Sequence, residues 1–112
     1  MATNGPFLYF DSIRLDIKVN QPWRVVLYTE SEPDEHGGGF IVERMTEWED
    51  ENGDMQTLPL EGPVAVHGRR RHFYFTDMKW TEPGEYVIEF YLSGMVGPVL
   101  DTRSAIVTVH PE

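Results

Sequence analysis

The sequence contains no cysteine among its 112 residues. This absence excludes disulfide bonds, zinc ribbons and thiol catalysis. It also favours a reducing compartment, so we expect a cytoplasmic protein. Long hydrophobic runs are missing too, since none approaches the roughly 20 apolar residues that cross a bilayer. Residues 1–6 show neither the basic region nor the apolar core of a signal peptide. We therefore expect no membrane partner.

Basic residues are scarce relative to acidic ones. The chain has nine lysines and arginines and 19 aspartates and glutamates, which gives a formal net charge of −10. Such a charge repels nucleic acid at long range, so we do not expect nucleic-acid binding. The acids are concentrated between Glu30 and Asp54, where ten of them accompany a single base, Arg44. The main basic feature is the run Arg69-Arg70-Arg71, which makes these two charged segments the most distinctive polar features of the chain.

Alternation of apolar and polar residues with a period of two recurs along the chain and predicts β-strands. Such segments lie at residues 13–19, 23–28, 40–48 and 103–109, with Gly, Pro and Asn turns between them. No helical pattern continues beyond about two turns. Short strands separated by turn residues are typical of all-β sandwiches. We therefore predict a single β-sandwich domain over residues 1–112.

A Pro-Gly turn precedes the clearest strand of the chain. Pro83-Gly84 is followed by Glu85 and Tyr86, and Ile88 occupies the next inward position. This order resembles the tyrosine corner of immunoglobulin-like domains, in which a Tyr lies two residues before a core position. The resemblance implies an immunoglobulin-like antiparallel β-sandwich of about seven strands. Ile88 stands where antibody-type domains have their second cysteine, so the disulfide of that branch is absent.

An Asn-Gly pair interrupts the acidic segment. Asn52-Gly53 is a strong signal for a tight hairpin, because both central residues of a type I′ turn need positive φ. It predicts a following strand between Met55 and Leu60, which Pro59 makes short or confines to an edge. We expect the acids around this turn to form a solvated hairpin tip, because their spacing does not match a calcium-binding loop of the EF-hand type.

Two groups of residues could suggest a catalytic or a metal-binding site, but neither is accompanied by the motif or spacing that such a site needs. His36-Gly37-Gly38-Gly39 is similar to the oxyanion-hole segment of some esterases, but no Gly-x-Ser-x-Gly nucleophile motif accompanies it. The four histidines include no pair with the i, i+2 spacing that puts two ligands on one face of a strand. We expect no enzyme activity, no metal site and no cofactor.

A second, narrower resemblance covers residues 73–90. Phe73-Tyr74-Phe75-Thr76-Asp77-Met78, followed by Gly84-Glu85-Tyr86-Val87-Ile88-Glu89-Phe90, is similar to the Phe-x-Phe-x-Asp-Leu…Gly-x-Tyr-x-Leu-x-Phe segment of fungal velvet-domain regulators. Velvet domains bind DNA and dimerise through an immunoglobulin-like fold, so the resemblance implies a DNA-binding regulator. The chain lacks the family's cysteine and its arginine-rich N-terminal segment.

The leading functional prediction is a non-enzymatic protein-interaction module that binds another protein or a second copy of itself as a homodimer. Acidic and basic patches on one chain favour association with charged partners. The candidate interaction residues are Arg69, Arg70, Arg71, Glu47, Trp48, Glu49, Asp50, Glu51 and Asp54. The first alternative is a small-ligand or carbohydrate-binding sandwich that uses exposed aromatic side chains such as Trp48. The second is a velvet-like DNA-binding regulator.

Overall fold

The computed structural model describes residues 6–32, 37–69 and 71–112, and these residues form an all-β chain. The strands in chain order are β1 (Leu8–Ser12), β2 (Asp16–Lys18), β3 (Trp23–Thr29), β4 (Phe40–Arg44), β5 (Glu47–Glu49), β6 (Met55–Thr57), β7 (Leu60–Glu61), β8 (Ala65–Gly68), β9 (His72–Trp80), β10 (Gly84–Gly94) and β11 (Val99–His110). Among the described residues there is no helix of the length and apolar character needed to cross a membrane.

The all-β prediction is confirmed, but the predicted number of about seven strands is wrong, because the described residues form eleven. Two predicted strands are divided. The segment 40–48 breaks between Arg44 and Glu47 into β4 and β5. The predicted strand from Met55 to Leu60 breaks at Pro59, which separates β6 from β7 because proline has no N–H to donate to a strand ladder.

Two larger sheets and one hairpin account for these strands. The four-stranded sheet has the order β1-β3-β9-β7 and is antiparallel throughout. The five-stranded sheet has the order β2-β11-β10-β4-β8 and is antiparallel except where β2 runs parallel to β11. Strands β5 and β6 pair with each other as a third, two-stranded sheet. Apart from the β5–β6 hairpin, successive strands therefore alternate between the two larger sheets as far as β10, and β11 then pairs with β10 in the same sheet.

The two larger sheets pack on each other through a largely aromatic core. Phe75 of β9 meets Phe90 of β10 with ring centroids 5.2 Å apart, and Phe73 of β9 meets Phe40 of β4 at 6.2 Å. All four side chains are fully buried. Because burial of one such side chain contributes roughly 1.5–3 kcal/mol, this layer is a main source of the fold's stability.

Strand β9 keeps its apolar side chains in this core by means of a bulge. Phe73 and Phe75 face inward at the expected spacing of two, whereas the next inward residues are Met78 and Trp80. Asp77 has a positive φ of 62°, and the register against β3 shifts at this point. A bulge inserts one residue into a strand. The inserted residue returns Met78 and Trp80 to the buried side.

Tyr86 makes the hydrogen bond expected of a tyrosine corner. Its hydroxyl donates to the carbonyl oxygens of Pro83 and Glu82, which lie 3.1 and 3.2 Å away. Gly84 has a φ of 150°, and a Cβ there would lie 3.0 Å from the Tyr86 hydroxyl oxygen. The corner therefore needs glycine at position 84, and it fixes the Tyr86 ring at the start of β10.

Strand β10 separates two ends of the molecule. Its eleven residues, at about 3.4 Å each, cover about 35 Å. At its start lies the β5–β6 hairpin; we call residues 47–57 with 82–86 the hairpin end. At its last residue, Gly94 pairs with Phe40, which also pairs with Gly68 just before the arginine run. We call residues 37–39, 67–69 and 71 the arginine end. Arg69 and Arg71 therefore lie too far from the hairpin acids to neutralise them within one molecule.

Candidate interaction site

The hairpin predicted from Asn52-Gly53 is confirmed, but the predicted turn type is wrong. Only Gly53 of the pair has a positive φ, 82°. The N–H of Gly53 donates to the carbonyl oxygen of Asp50 at 3.0 Å, and the N–H of Asp50 donates to that of Asp54 at 2.9 Å. This longer loop with a single left-handed glycine replaces the two-residue type I′ turn, in which both central residues have positive φ.

The Asp50 carboxylate explains the longer loop. It accepts hydrogen bonds from the backbone N–H groups of Asn52 and Asp54 at 2.9 and 3.0 Å and from the side-chain amide of Gln56 at 2.9 Å. The Gln56 hydrogen bond is the main cause that lowers the pKa of Asp50, and the two backbone donors add to it. The carboxylate of Asp50, a predicted interaction residue, therefore stabilises the loop through these hydrogen bonds.

The remaining acids of the hairpin are free to act outside the molecule. Glu47, Glu49, Glu51 and Asp54 are all exposed. None of them forms an ion pair with a residue that the structure describes. The hairpin end thus presents uncompensated negative charge, which raises the local concentration of cationic groups.

A cleft lies at the base of the hairpin beside these acids. Its volume is about 300 Å³, and its lining residues are Trp48, Asp50, Gln56, Thr57, Pro59, Glu82 and Tyr86. The half-buried Trp48 ring stands perpendicular to the Tyr86 ring, with centroids 5.9 Å apart. Tyr86 in turn stacks on the buried Trp80 ring at 5.0 Å. This aromatic chain fixes the cleft wall, and burial together with the nearby Glu82 charge raises the pKa of Tyr86.

Sequence reasoning placed Trp48 in the site but missed Glu82 and Tyr86. The Pro-Gly turn that predicted the tyrosine corner also brings Glu82 to the same edge of the sheet. What it did not predict is that the hairpin packs against this corner, because that contact joins residues far apart in sequence. The Pro83-Gly84 turn thus indicated the tyrosine corner, but only the three-dimensional structure shows that the hairpin contacts this corner.

Arg44, the single base of the acidic segment, is withdrawn from the surface. Its side chain is buried, and burial lowers the pKa of its guanidinium group. It donates hydrogen bonds to backbone carbonyl oxygens at the end of β4 and in the turn after β7. Arg44 therefore gives the exposed hairpin acids no neutralising charge.

The three arginines of the predicted basic cluster have different environments. Arg69 is exposed at the end of β8 and forms no ion pair with the described part of the chain. Arg71 forms a salt bridge with Glu32, and both side chains are about half exposed. Arg70 lies outside the described residues, as does His36 of the glycine segment. Of the two described members of the cluster, Arg71 is therefore neutralised by a nearby acid, and Arg69 has no ion-pair partner among the described residues.

A row of aromatic rings crosses the outer face of the four-stranded sheet. In spatial order the rings are those of Tyr9, Tyr28, His72 and Tyr74. Neighbouring ring planes make angles between 21° and 30°, and their centroids lie 5.3 to 6.3 Å apart. The guanidinium groups of Arg103 and Arg24 lie over the two end rings.

No group of three or more His, Asp or Glu side chains with metal-binding proximity occurs in the described ranges. His110 contacts Asp16 at 2.8 Å, but it lies at the β2–β11 edge, where no third ligand joins it within the described residues.

No family model and no curated protein matches this chain. Among solved structures, the chain is similar to a conjugative transposon lipoprotein from Bacteroides eggerthii. The similarity has a TM-score of 0.61 and covers 93% of this chain and 98% of the other, with 11% sequence identity. At that identity the comparison concerns the fold alone, and the chain shares an all-β fold with the lipoprotein over almost its whole described length.

Proposed function

We propose that this chain is a non-enzymatic protein-interaction module that binds a basic segment of a partner protein at its hairpin end. The observation that carries the proposal is the set of exposed hairpin acids without ion pairs beside an aromatic cleft. A cationic side chain entering the cleft gains a cation–π contact with Trp48 and attraction to Glu82. The surrounding acids add long-range attraction, which speeds association with a basic partner.

We further propose that the architecture is immunoglobulin-like. The order β1-β3-β9-β7 corresponds to strands A, B, E and D of such domains, and β11-β10-β4 corresponds to G, F and C. The tyrosine corner at the start of β10 supports the same assignment. One departure concerns the strand beside β4, because β8 follows β7 along the chain, whereas additional strands of variable domains precede strand D. Loop-borne binding at one end is common in this architecture.

The proposal is tested with a fluorescein-labelled lysine-rich peptide, whose binding is followed by anisotropy at increasing salt. We expect binding that weakens as salt rises, because exposed charges are screened. Glu49→Lys should remove most of the binding, and Trp48→Ala should weaken it at every salt concentration. The matched control is Asp11→Lys, which makes the same charge change at an exposed position of β1.

Equal weakening by Glu49→Lys and Asp11→Lys would contradict the proposal, since it would reflect net charge alone. Absence of salt-dependent binding to the wild-type protein would contradict it as well. Sedimentation velocity of the protein by itself tests the self-associating form. A homodimer that uses the hairpin end should dissociate in Glu49→Lys and persist in Asp11→Lys.

A further inference from the structure

A second cleft lies at the arginine end, about 35 Å from the first by the length of β10. It has a volume of about 310 Å³ and is lined by Gly37, Gly38, Gly39, His67, Gly68, Arg69 and Met95. None of these residues is acidic, although the chain carries a net charge of −10. Among the described lining residues, the polar side chains are the imidazole of His67 and the guanidinium of Arg69.

The Arg69 guanidinium is available to a ligand. It is exposed and forms no ion pair or hydrogen bond with a residue in the described ranges. Arg71, two positions further along, has a carboxylate partner in Glu32. This salt bridge also neutralises the Glu32 carboxylate. Arg71 therefore has an anionic partner within the described chain, whereas Arg69 does not.

The glycine segment leaves the backbone open on the other side of the cleft. Gly37 and Gly38 have φ values of 84° and 90°, which favour glycine. Within the described part of the chain, neither residue makes a backbone hydrogen bond. Gly39 is fixed by packing, since a Cβ there would lie 3.0 Å from the Gly68 carbonyl oxygen. Gly38 lines the cleft, and a Cβ there would meet no described residue within 4 Å.

We propose that this cleft binds a phosphate group. Tetrahedral oxyanions accept hydrogen bonds from guanidinium groups, imidazole N–H groups and backbone N–H groups. The cleft offers the first two in Arg69 and His67, and the backbone N–H groups of Gly37 and Gly38 have no partner among the described residues. The hairpin acids lie several Debye lengths away at physiological salt, where that length is about 8 Å. At the arginine end itself, the Glu32 carboxylate is paired with Arg71. The side chain of Met95 supplies an apolar wall suited to the organic part of a phosphate ester.

Titration with inorganic phosphate, followed by the backbone amide resonances of the full chain, tests this site. We expect saturable shifts confined to residues 37–39 and 67–69. Arg69→Gln should weaken phosphate binding about tenfold, the loss expected for one charge-assisted hydrogen bond. The matched control is Arg71→Gln, which removes an equal charge two residues away and should leave the dissociation constant within about twofold.

A parallel titration with N-acetyl-phosphoserine amide distinguishes the source of the phosphate. Tighter binding than that of inorganic phosphate would assign the site to a phosphate ester, and equal binding would assign it to the free anion. The proposal is overturned if phosphate shifts none of these amides, or if Arg69→Gln and Arg71→Gln weaken binding equally. Neither result depends on the hairpin end, so this test is independent of the lysine-peptide experiment.

Discussion

The Nε of Arg44 donates a hydrogen bond of 2.8 Å to the carbonyl oxygen of Pro63, 19 residues further along the chain. The other nitrogens of the same guanidinium donate to the carbonyl oxygens of Met45, Leu60 and Gly62. One buried cation thus joins the end of β4 to the turn between β7 and β8. Its charge is dispersed over neutral carbonyl dipoles, and no carboxylate among the described residues shares it.

Replacing Arg44 by Met should strongly destabilise the fold. The apolar stem keeps most of the packing, but the carbonyl groups of the turn lose their donors in a partly buried setting. We expect the free energy of unfolding in urea to fall by about 3 kcal/mol. Arg69→Met is the control, because its exposed side chain should change stability by less than about 0.5 kcal/mol. Equal effects of the two changes would contradict the structural role of Arg44.

Tyr86→Phe tests the tyrosine corner. Removing the hydroxyl eliminates the hydrogen bond to Pro83 and Glu82, and the ring remains stacked on Trp80. We expect a loss of about 1 kcal/mol in the free energy of unfolding at neutral pH. Tyr91→Phe is the comparison, since its hydroxyl makes a long contact of 3.4 Å with Glu89. It should change stability less than Tyr86→Phe does.

The stabilising effect of Tyr86 should depend on pH in the alkaline range. Burial, followed by the Glu82 charge, raises the pKa of Tyr86 in the folded protein. The unfolded chain then ionises first, near pH 10, so the contribution is complete below that pH and is lost above it. Urea unfolding at increasing alkaline pH should therefore show a shrinking difference between wild type and Tyr86→Phe. A difference that grows with pH would mean that the pKa is lowered instead.

The features that could be predicted from sequence are those encoded locally. The alternation in β10 and the Pro83-Gly84 turn predicted both the strand and the Tyr86 hydrogen bond. Asn52-Gly53 predicted a hairpin, yet the Asp50 carboxylate, two residues earlier, selected a different loop. Side-chain capture of backbone donors competes with the intrinsic preferences of turn residues. Local pattern thus located the elements more reliably than it specified their geometry.

The candidate site depended on contacts that no local pattern contains. Arg44 is the single base of an acidic segment, and nothing in its local sequence indicates that the turn after β7 folds over it. The segment between Glu30 and Asp54 looked like one acidic region, although β4 separates Glu32 at the arginine end from the acids of the β5–β6 hairpin. Arg71 meets Glu32 at one end, and the hairpin acids remain unpaired at the other. Charge patterning along a sequence therefore did not predict charge patterning on the surface.

Gly62 and Gly97 separate the effects of crowding and backbone strain. Both have positive φ, 125° and 118°, so alanine is strained at either position. At Gly62 a Cβ would also lie 2.7 Å from the Met78 Cγ, whereas at Gly97 it would meet nothing within 4 Å. We expect Gly97→Ala to lower the free energy of unfolding by about 1 kcal/mol. Gly62→Ala should lower it by at least about 2 kcal/mol more, and equal losses would contradict the contact with β9.

Leu8 shows how the edge of the four-stranded sheet is protected. Its N–H donates to an Asp101 carboxylate oxygen at 2.7 Å, and its carbonyl oxygen accepts a hydrogen bond of 2.7 Å from Arg103 Nε. Two side chains of β11 thus take the place of a neighbouring strand along β1, which is the outermost strand of its sheet. Unpaired edge groups are templates for association with other chains.

Removing both side chains should expose this edge. In Asp101→Ala/Arg103→Ala the backbone groups of Leu8 lose two charge-assisted partners, and we expect a stability loss of about 2 kcal/mol. The freed edge should also cause association that increases with protein concentration, measured by light scattering at constant salt. The control is Thr102→Ala/Ser104→Ala, which truncates exposed residues of the same strand. Scattering that matches this control at every concentration would show that the edge is protected by other means.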